Sequence, residues 1–206
     1  MFCTSSFVCT FTKNFNAPVR LRSYTTDDSI DSIDTAGCAI WEAARATSAA
    51  AKFFDPIRIG MQEYVDGATG YNNAVELVVE EAREIWPHDL VPRVQCIVSI
   101  GTGVTELRSF GDNLKQVVYT LKSIATETEK TEERFFKSHR YLGFGGRYFR
   151  FNVDRGLAGI ELDEHEKKDK IVAATELYLN DPRVKQSATE FVSARHLQNG
   201  ELSKMV

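Results

Sequence analysis

The sequence predicts an α/β domain built in layers, and three observations support that prediction. Amphipathic, helix-like segments recur along the chain, and short runs of β-branched and aromatic residues lie between them. One of these runs, Cys96 to Ile100, is almost uninterruptedly apolar, which is typical of a strand that helices cover on both faces. The length of 206 residues is enough for one such domain with its own core.

The first half of the chain predicts strands around one helix, followed by a second helix. Phe7 to Thr12 and Val19 to Tyr24 are β-prone and are joined by a turn-rich connector. The alanine-rich stretch from Ala39 to Ala50 predicts a helix. Pro56 to Gly67 predicts a hairpin whose second strand ends at Asp66. The helix that follows carries an apolar face, formed by Val75, Val78, Val79, Ala82, Ile85 and Trp86.

Boundary signals and further periodic segments organise the rest of the chain. Asn73 with Glu76 three residues later is a capping pair for the helix after the hairpin, and Pro87 ends that helix. Apolar positions from Leu114 to Ala125 mark a long amphipathic helix whose continuation is highly charged. Tyr148 to Val153 alternates as a strand does. Two more helices, divided by Pro182, close the chain.

Composition argues against several classes of function. The net charge of −4 and the pI near 5.6 give no electrostatic reason to expect nucleic-acid binding. No apolar run approaches the roughly 20 residues of a transmembrane helix, and the first residues lack the basic segment of a signal peptide. The four cysteines show no zinc-ligand spacing, so we expect no metal and free thiols in a cytoplasmic protein. They are Cys3, Cys9, Cys38 and Cys96.

Asp66-Gly67 at a strand end fits two interpretations. It is either a carboxylate presented for chemistry on a rigid strand terminus, with Gly67 allowing a tight turn, or an ordinary Asp-Gly turn. Taken alone, the dipeptide favours the ordinary turn. The functional interpretation depends on the sequence around it.

Three blocks of sequence around Asp66 resemble patatin-like phospholipases, in the order and at the spacing of that family. The first resembles the family's Ala-Arg-Ala-Thr-Ser-Ala-Ala-Pro segment and is found within Ile40 to Ala50. The second is Asp66-Gly67-Ala68, followed by Asn72-Asn73. The third is Ser99-Ile100-Gly101-Thr102-Gly103. Fungal members are the most similar, because they share the charged Thr-Glu-Thr-Glu helix and the Arg-Tyr-Phe-Arg-Phe-Asn-Val strand. The resemblance covers nearly the whole chain.

The resemblance implies a fold and an activity. It implies an α/β/α sandwich around a mostly parallel or mixed sheet, with residues 1–206 forming the C-terminal portion of the domain. It implies a lipid acyl hydrolase in which a serine attacks an ester and Asp66 is the base, supported by Gly67 and Ala68. No cofactor is implied. The implied partners are a phospholipid or other lipid ester, a membrane surface, and further modules in the full-length protein, but no nucleic acid.

The sequence also departs from the family pattern. It contains no Gly-x-Ser-x-Gly motif and no Gly-rich oxyanion loop, and a strand-like run begins almost at once, so we expect the chain to start within a fold. Ser48 lies among alanines in a helix-like run and is expected to be structural, while Ala51 and Ala74 stand where the family often has proline. The alternative is therefore a catalytically inactive remnant that acts as an interaction or regulatory module.

Three further patterns have simpler explanations than a binding site. Gly143 to Gly146 lacks phosphate-loop spacing and predicts a turn. The acidic cluster from Glu161 to Glu166 suits the start of a helix rather than a metal. Arg147 to Phe151 mixes basic and aromatic residues but predicts a half-buried strand. We also expect the strand from Ile97 to Ile100 to expose an apolar face in this chain alone.

Overall fold

The computed structural model describes residues 5–15, 17–25, 37–50, 53–104, 115–157, 160 and 164–202. Within them the chain forms two compact units, Met1–Pro87 and His88–Val206. Several features of the sequence lie outside the described residues. They are Cys3, residues 26–36, Ala51, the acidic residues 161–163, and the side chains of the apolar positions from Leu114 to Ala125.

The first unit contains a four-stranded antiparallel sheet in the order β2-β1-β4-β3. The strands are β1 (Phe7–Thr12), β2 (Pro18–Arg22), β3 (Ile57–Ile59) and β4 (Gln62–Asp66). The predicted hairpin is confirmed, because β3 pairs with β4. The central strand β1 also pairs with β4, and its register places Thr10 opposite Asp66. Asp66 therefore ends an interior strand of the sheet.

Three helices accompany this sheet: α1 (Ile40–Thr47), α2 (Ala68–Tyr71) and α3 (Val75–Ile85). Alternating side chains of the strands and one face of α1 form a core that consists of Leu21, Ala46, Ile59 and Tyr64. Ala46 is fully buried, so α1 approaches the sheet closely where its side chains are small. This packing fixes the end of α1 beside the end of β4.

The start of α3 differs from the sequence prediction. Its N-cap is Ala74 rather than Asn73, and Asn73 Oδ1 instead accepts a hydrogen bond from the Val75 N–H at 3.3 Å. The capping pair with Glu76 was therefore placed one residue too early. The helix ends at Ile85, two residues before Pro87, in agreement with the predicted helix stop at this proline.

The buried face of α3 also differs from the predicted apolar face. Val75, Leu77, Val79 and Glu81 are buried, whereas Val78 and Trp86 are exposed. Glu81 is 2% exposed because two arginines of β2 surround its carboxylate. Arg22 donates two hydrogen bonds of 2.6 Å to it, and Arg20 lies 2.9 Å away. An apolar periodicity cannot identify a helix face that is anchored by a buried ion pair.

The second unit contains a parallel strand pair and most of the helical residues. Strand β5 (Ile97–Ile100) pairs in parallel with β6 (Tyr148–Phe151). The helices are α4 (Leu90–Arg93), α5 (Lys115–Ser138), a 3-10 turn (His165–Lys167), α6 (Lys168–Leu179) and α7 (Pro182–Leu202). An aromatic core forms around Phe135, Phe144 and Phe149, which are all buried.

One face of β5 is uncovered, as the sequence predicts. Ile97 and Ser99 are buried, while Val98 is 39% and Ile100 is 78% exposed. Both units therefore mix helices with small sheets, and the α/β class is confirmed. The larger sheet is antiparallel, and parallel pairing among the described strands is confined to β5 and β6. None of the helices in the described part of the chain is both long and apolar enough to cross a membrane.

Candidate active site around Asp66

Asp66 lies at the junction of β4 and α2 and is held there by its backbone and its side chain. Its N–H donates to the Ala49 carbonyl at 3.1 Å, just beyond the end of α1. Its Oδ1 accepts a 2.7 Å hydrogen bond from the Ala68 N–H, at the first residue of α2. This second bond orients the carboxyl group, because an N–H two residues along the chain holds one of its oxygens.

Burial sets the proton affinity of the Asp66 carboxyl. The side chain is half-buried, and burial raises its pKa above the ordinary value for aspartate. The hydrogen bond from the Ala68 N–H acts in the opposite direction but does not cancel that effect. The carboxylate therefore holds a proton more strongly than an exposed aspartate, which suits a group that must accept one during a reaction.

Gly67 is required by a close backbone approach rather than by an unusual turn. Its φ is −72°, which any residue adopts. A Cβ built on Gly67 would lie 2.3 Å from the Cys9 carbonyl oxygen of β1. The glycine was predicted to allow a tight turn, and the structure gives a different reason for it: only a residue without a side chain lets the end of β4 lie against β1.

A cavity of about 380 Å³ opens beside Asp66 within the first unit. The cavity is a shallow depression that is largely open to solvent rather than an enclosed pocket. Its walls come from the start of β1, the end of α1, the β4–α2 junction and the first turns of α3, and they are mainly apolar. The lining residues besides Asp66 include Phe7, Val8, Cys9, Thr47, Tyr71 and Val78. A half-buried carboxylate at the wall of an apolar cavity can take a proton from a hydroxyl that is brought into it.

The alanine-rich block at the end of α1 has a clear structural purpose. Ala46 and Ala49 are fully buried, and the Ala49 carbonyl accepts the Asp66 N–H. Thr47 Oγ1 donates to the Cys9 carbonyl at 2.7 Å, the same carbonyl that lies against Gly67. Two of the three blocks that resembled one family are thus brought together in the first unit.

Ser48 does not belong to this arrangement. Its side chain is exposed, and its hydroxyl donates to the Ala44 carbonyl one turn earlier in the helix at 2.8 Å. This bond is the ordinary way in which a helical serine satisfies its hydroxyl. The hydrogen-bonded hydroxyl agrees with the structural interpretation of Ser48.

Sequence reasoning missed two residues next to Asp66. Thr10 is fully buried, lies opposite Asp66 across the sheet, and donates from Oγ1 to the Val65 carbonyl at 2.6 Å. Cys9 lines the cavity, and burial raises the pKa of its thiol. Neither stood out in the sequence, because strand register is set by tertiary pairing and no motif surrounds them.

The third block, Ser99 to Gly103, lies in the second unit and forms the end of β5 and the segment that follows it. Ser99 is buried and its Oγ accepts a 2.7 Å hydrogen bond from Arg150. A Cβ on Gly101 would lie 2.2 Å from Asn152 Oδ1, the atom that accepts the Gly103 N–H. The two glycines therefore serve the packing of β5 against the end of β6.

The remaining candidate patterns form ordinary structure where they are described. Gly143 and Gly146 have φ values of +85° and +73°, so this segment is the predicted turn. Arg147 to Phe151 leads into and forms β6 as the expected half-buried strand. His165 is 95% exposed in a 3-10 turn. The described residues contain no group of three or more histidine, cysteine or acidic side chains arranged to hold a metal ion.

Comparison with known proteins finds similarity to phospholipases. The chain is 31% identical to Phospholipase A I of Arabidopsis thaliana over 156 residues, which are 73% of this chain and 12% of that protein. It is 34% identical to the human Calcium-independent phospholipase A2-gamma over 159 residues, 73% of this chain and 19% of that protein. The rat protein of the same name is 33% identical over 158 residues. The chain thus spans less than a fifth of the length of these relatives. No family model matches the chain.

Proposed function

We propose that this chain is the C-terminal part of a patatin-like phospholipase domain of the fungal type, and that Asp66 is the general base of a serine–aspartate lipid acyl hydrolase. The observation that carries the proposal is the position of Asp66. It ends an interior strand, is oriented by the Ala68 N–H, and lies at the wall of an apolar cavity.

Three further facts support the proposal. The relatives named above are phospholipases that match almost three quarters of the chain at more than 30% identity. The alanine-rich block, which resembles one family motif, contacts the Asp-Gly-Ala block, which resembles another. Burial raises the pKa of Asp66, as expected for a carboxyl group that alternates between accepting and donating a proton.

In the proposed reaction Asp66 transfers a proton both when the acyl-enzyme forms and when it is hydrolysed. The carboxylate takes the proton from a serine hydroxyl as the serine oxygen bonds to the ester carbonyl carbon. The same carboxyl then gives that proton to the departing alcohol oxygen as the ester bond breaks. A water molecule then attacks the carbonyl carbon of the acyl-enzyme while Asp66 takes its proton. Asp66 returns that proton to the serine oxygen as the fatty acid is released. The mainly apolar walls formed by Phe7, Val8 and Val78 suit the lipid chain.

The nucleophile is proposed to come from outside these 206 residues. The sequence holds no Gly-x-Ser-x-Gly motif, and Ser48 and Ser99 both have structural hydrogen bonds. We therefore assign the serine and the oxyanion-binding N–H groups to another segment of the natural protein. Among the described residues Cys9, Cys38 and Cys96 are free, which suits the cytoplasmic location that we propose. Peripheral contact with a membrane is proposed from the lipid substrate alone.

Labelling with a fluorophosphonate, which reacts with activated serines, tests this assignment. We expect no labelled serine in the 206-residue chain, and one labelled serine in the longest natural gene product that contains it. Asp66→Asn should abolish the label in the longer protein, while Glu63→Gln should not. Glu63 is the matched control because it lies on the same strand and forms a surface ion pair with Lys13.

Two results would overturn parts of the proposal. A labelled serine in the 206-residue chain, lost on Asp66→Asn, would mean that the nucleophile lies within it. An unlabelled full-length gene product would instead favour the second candidate, an inactive remnant that acts as an interaction module. The uncovered Val98 and Ile100 of β5 favour that candidate, because an apolar strand face is suited to pairing with a partner.

A further inference from the structure

Thr10 is the cross-strand neighbour of Asp66. The antiparallel register of β1 and β4 pairs the two residues directly. Thr10 is fully buried, although its side chain carries a hydroxyl group. A buried hydroxyl that lacks a hydrogen bond destabilises the fold, so its partner indicates what the residue does.

The partner of the Thr10 hydroxyl is the peptide group that carries Asp66. Thr10 Oγ1 donates to the Val65 carbonyl at 2.6 Å, and the Ala46 carbonyl lies farther away at 3.4 Å. The Val65 carbonyl belongs to the same planar peptide group as the Asp66 N–H, which donates to Ala49 at 3.1 Å. This peptide plane is thus held at both ends, and it sets the direction in which the Asp66 side chain leaves the backbone.

Thr12 shows that a buried threonine of the same strand can serve a different purpose. It is two residues along β1, on the same face of the sheet, and is 8% exposed. Its Oγ1 accepts the Ala17 N–H at 3.2 Å in the β1–β2 connection, away from Asp66. A general need of β1 for threonine therefore does not explain the bond made by Thr10.

We propose that Thr10 is a positioning residue for Asp66, which acts by fixing the Val65–Asp66 peptide group so that the carboxyl lies at the cavity wall. The inference rests on the proposed role of Asp66 as the base. Removal of the hydroxyl leaves this peptide group held only by the Asp66 N–H bond to Ala49, so the peptide can rotate further and the carboxyl can turn toward solvent. The Ala68 N–H would then be the remaining hydrogen bond to the carboxyl itself.

The surroundings of Asp66 make its titration a direct report of its position. The other titratable groups that line the cavity are Cys9 and Tyr71. Burial and the Ala68 N–H are the causes of the shift in the pKa of Asp66, and Thr10 itself does not titrate. A changed titration in a Thr10 variant therefore reflects a moved carboxyl rather than a changed charge.

Carbon-detected NMR titration of the Asp66 carboxyl in the purified chain tests the inference, with amide exchange at Asp66 as a second readout. In Thr10→Val, we expect the titration midpoint to fall toward the usual aspartate range and the Asp66 amide to exchange faster. Thr10→Ser, which keeps the hydroxyl, should behave like the wild type, and so should Thr12→Val. If Thr10→Val does not fold, Thr10→Ala is compared with Thr10→Ser in its place.

Three outcomes would overturn the inference: an unchanged midpoint in the hydroxyl-free variant, an equal shift in Thr10→Ser, or an equal shift in Thr12→Val. The second would assign the effect to the methyl group and the third to general loosening of β1. None of these measurements requires ester hydrolysis. Failure of the proposed function would be seen instead as an Asp66→Asn protein that still hydrolyses lipid esters.

Discussion

The backbone of Gly67 lies against the carbonyl of Cys9, so closely that a Cβ at position 67 would be 2.3 Å from the carbonyl oxygen. Thr47, the last residue of α1, donates a 2.7 Å hydrogen bond to the same carbonyl. One carbonyl of β1 therefore meets both the end of β4 and the end of α1. This contact explains why glycine follows Asp66 although the backbone there is of ordinary right-handed helical type.

Gly67→Ala should destabilise the first unit because the added methyl group must push β1 and β4 apart. Overpacking of this kind costs about 1–3 kcal/mol, measured as a lowered urea midpoint. Gly145→Ala is the matched control, since its Cβ would meet only Arg140 Cγ at 3.8 Å. Equal stability of Gly67→Ala and the wild type would show that the approach is looser than the structure describes.

Glu81 should make the first unit sensitive to acid. Burial acts to raise the pKa of Glu81, but hydrogen bonds from Arg22 and Tyr24 outweigh it and hold that pKa below the ordinary value. The contribution of a carboxyl with a lowered pKa is present above its unfolded-state pKa and is lost as the pH falls through its folded-state pKa.

Glu81→Gln tests this acid sensitivity. The variant should lose about 1–3 kcal/mol at neutral pH, because Arg22 loses its close pair with Glu81 and keeps only the 3.4 Å contact with Glu84. Much of the decline in stability below the ordinary glutamate pKa should disappear. Urea unfolding from pH 7 to pH 3 measures both effects. An acid profile in Glu81→Gln as steep as that of the wild type would assign the sensitivity to other carboxyl groups.

Asp66→Asn should stabilise the chain at neutral pH. A carboxyl whose folded-state pKa is raised destabilises the fold once it ionises, so the cost appears as the pH rises through the unfolded-state pKa and is complete above the folded one. Asparagine keeps an oxygen that can accept the Ala68 N–H and carries no charge. Thermal unfolding at pH 7 and pH 3 should show a gain that is larger at pH 7. A lower stability of Asp66→Asn at pH 7 would mean that the ionised carboxyl has a favourable partner.

Ile100→Lys should reduce self-association of the chain. Ile100 is 78% exposed on the uncovered face of β5 and should cost little stability when replaced. Ile97, three residues earlier and on the buried face, is 7% exposed, and Ile97→Lys should unfold the second unit. Sedimentation velocity at increasing concentration measures the association. A wild-type chain that stays monomeric at every concentration would remove the basis for this prediction.

Much of the fold follows from local patterns in the sequence. The strands before and after α1, the hairpin that ends at Asp66, the strand at Ile97 and the break at Pro182 all lie where hydrophobic periodicity and turn residues predicted them. The buried face of α3 could not be predicted, because Glu81 is buried only through arginines that reach it from β2. The antiparallel order of the larger sheet is likewise a property of tertiary pairing.

The candidate site is predictable in part. Asp66, Gly67 and Ala68 were identified from a motif, but the contacts that support them come from residues 17 to 58 positions earlier in the chain, from Ala49 back to Cys9. The Thr10 hydroxyl reaches Val65 because β1 pairs with β4, and the Thr47 hydroxyl reaches Cys9 because the end of α1 lies against β1. A one-residue change in strand register would remove both contacts, and nothing local in the sequence specifies that register.

Asp66 is proposed to be the base of an ester hydrolysis. The most direct test is the initial rate of phospholipid hydrolysis by the longest natural protein that contains this chain, compared between the wild type, Asp66→Asn and Glu63→Gln. We predict that Asp66→Asn lowers the rate by about 10²–10⁴-fold, the usual contribution of a general base, while Glu63→Gln leaves it unchanged. Equal rates for the wild type and Asp66→Asn would contradict the assignment of Asp66.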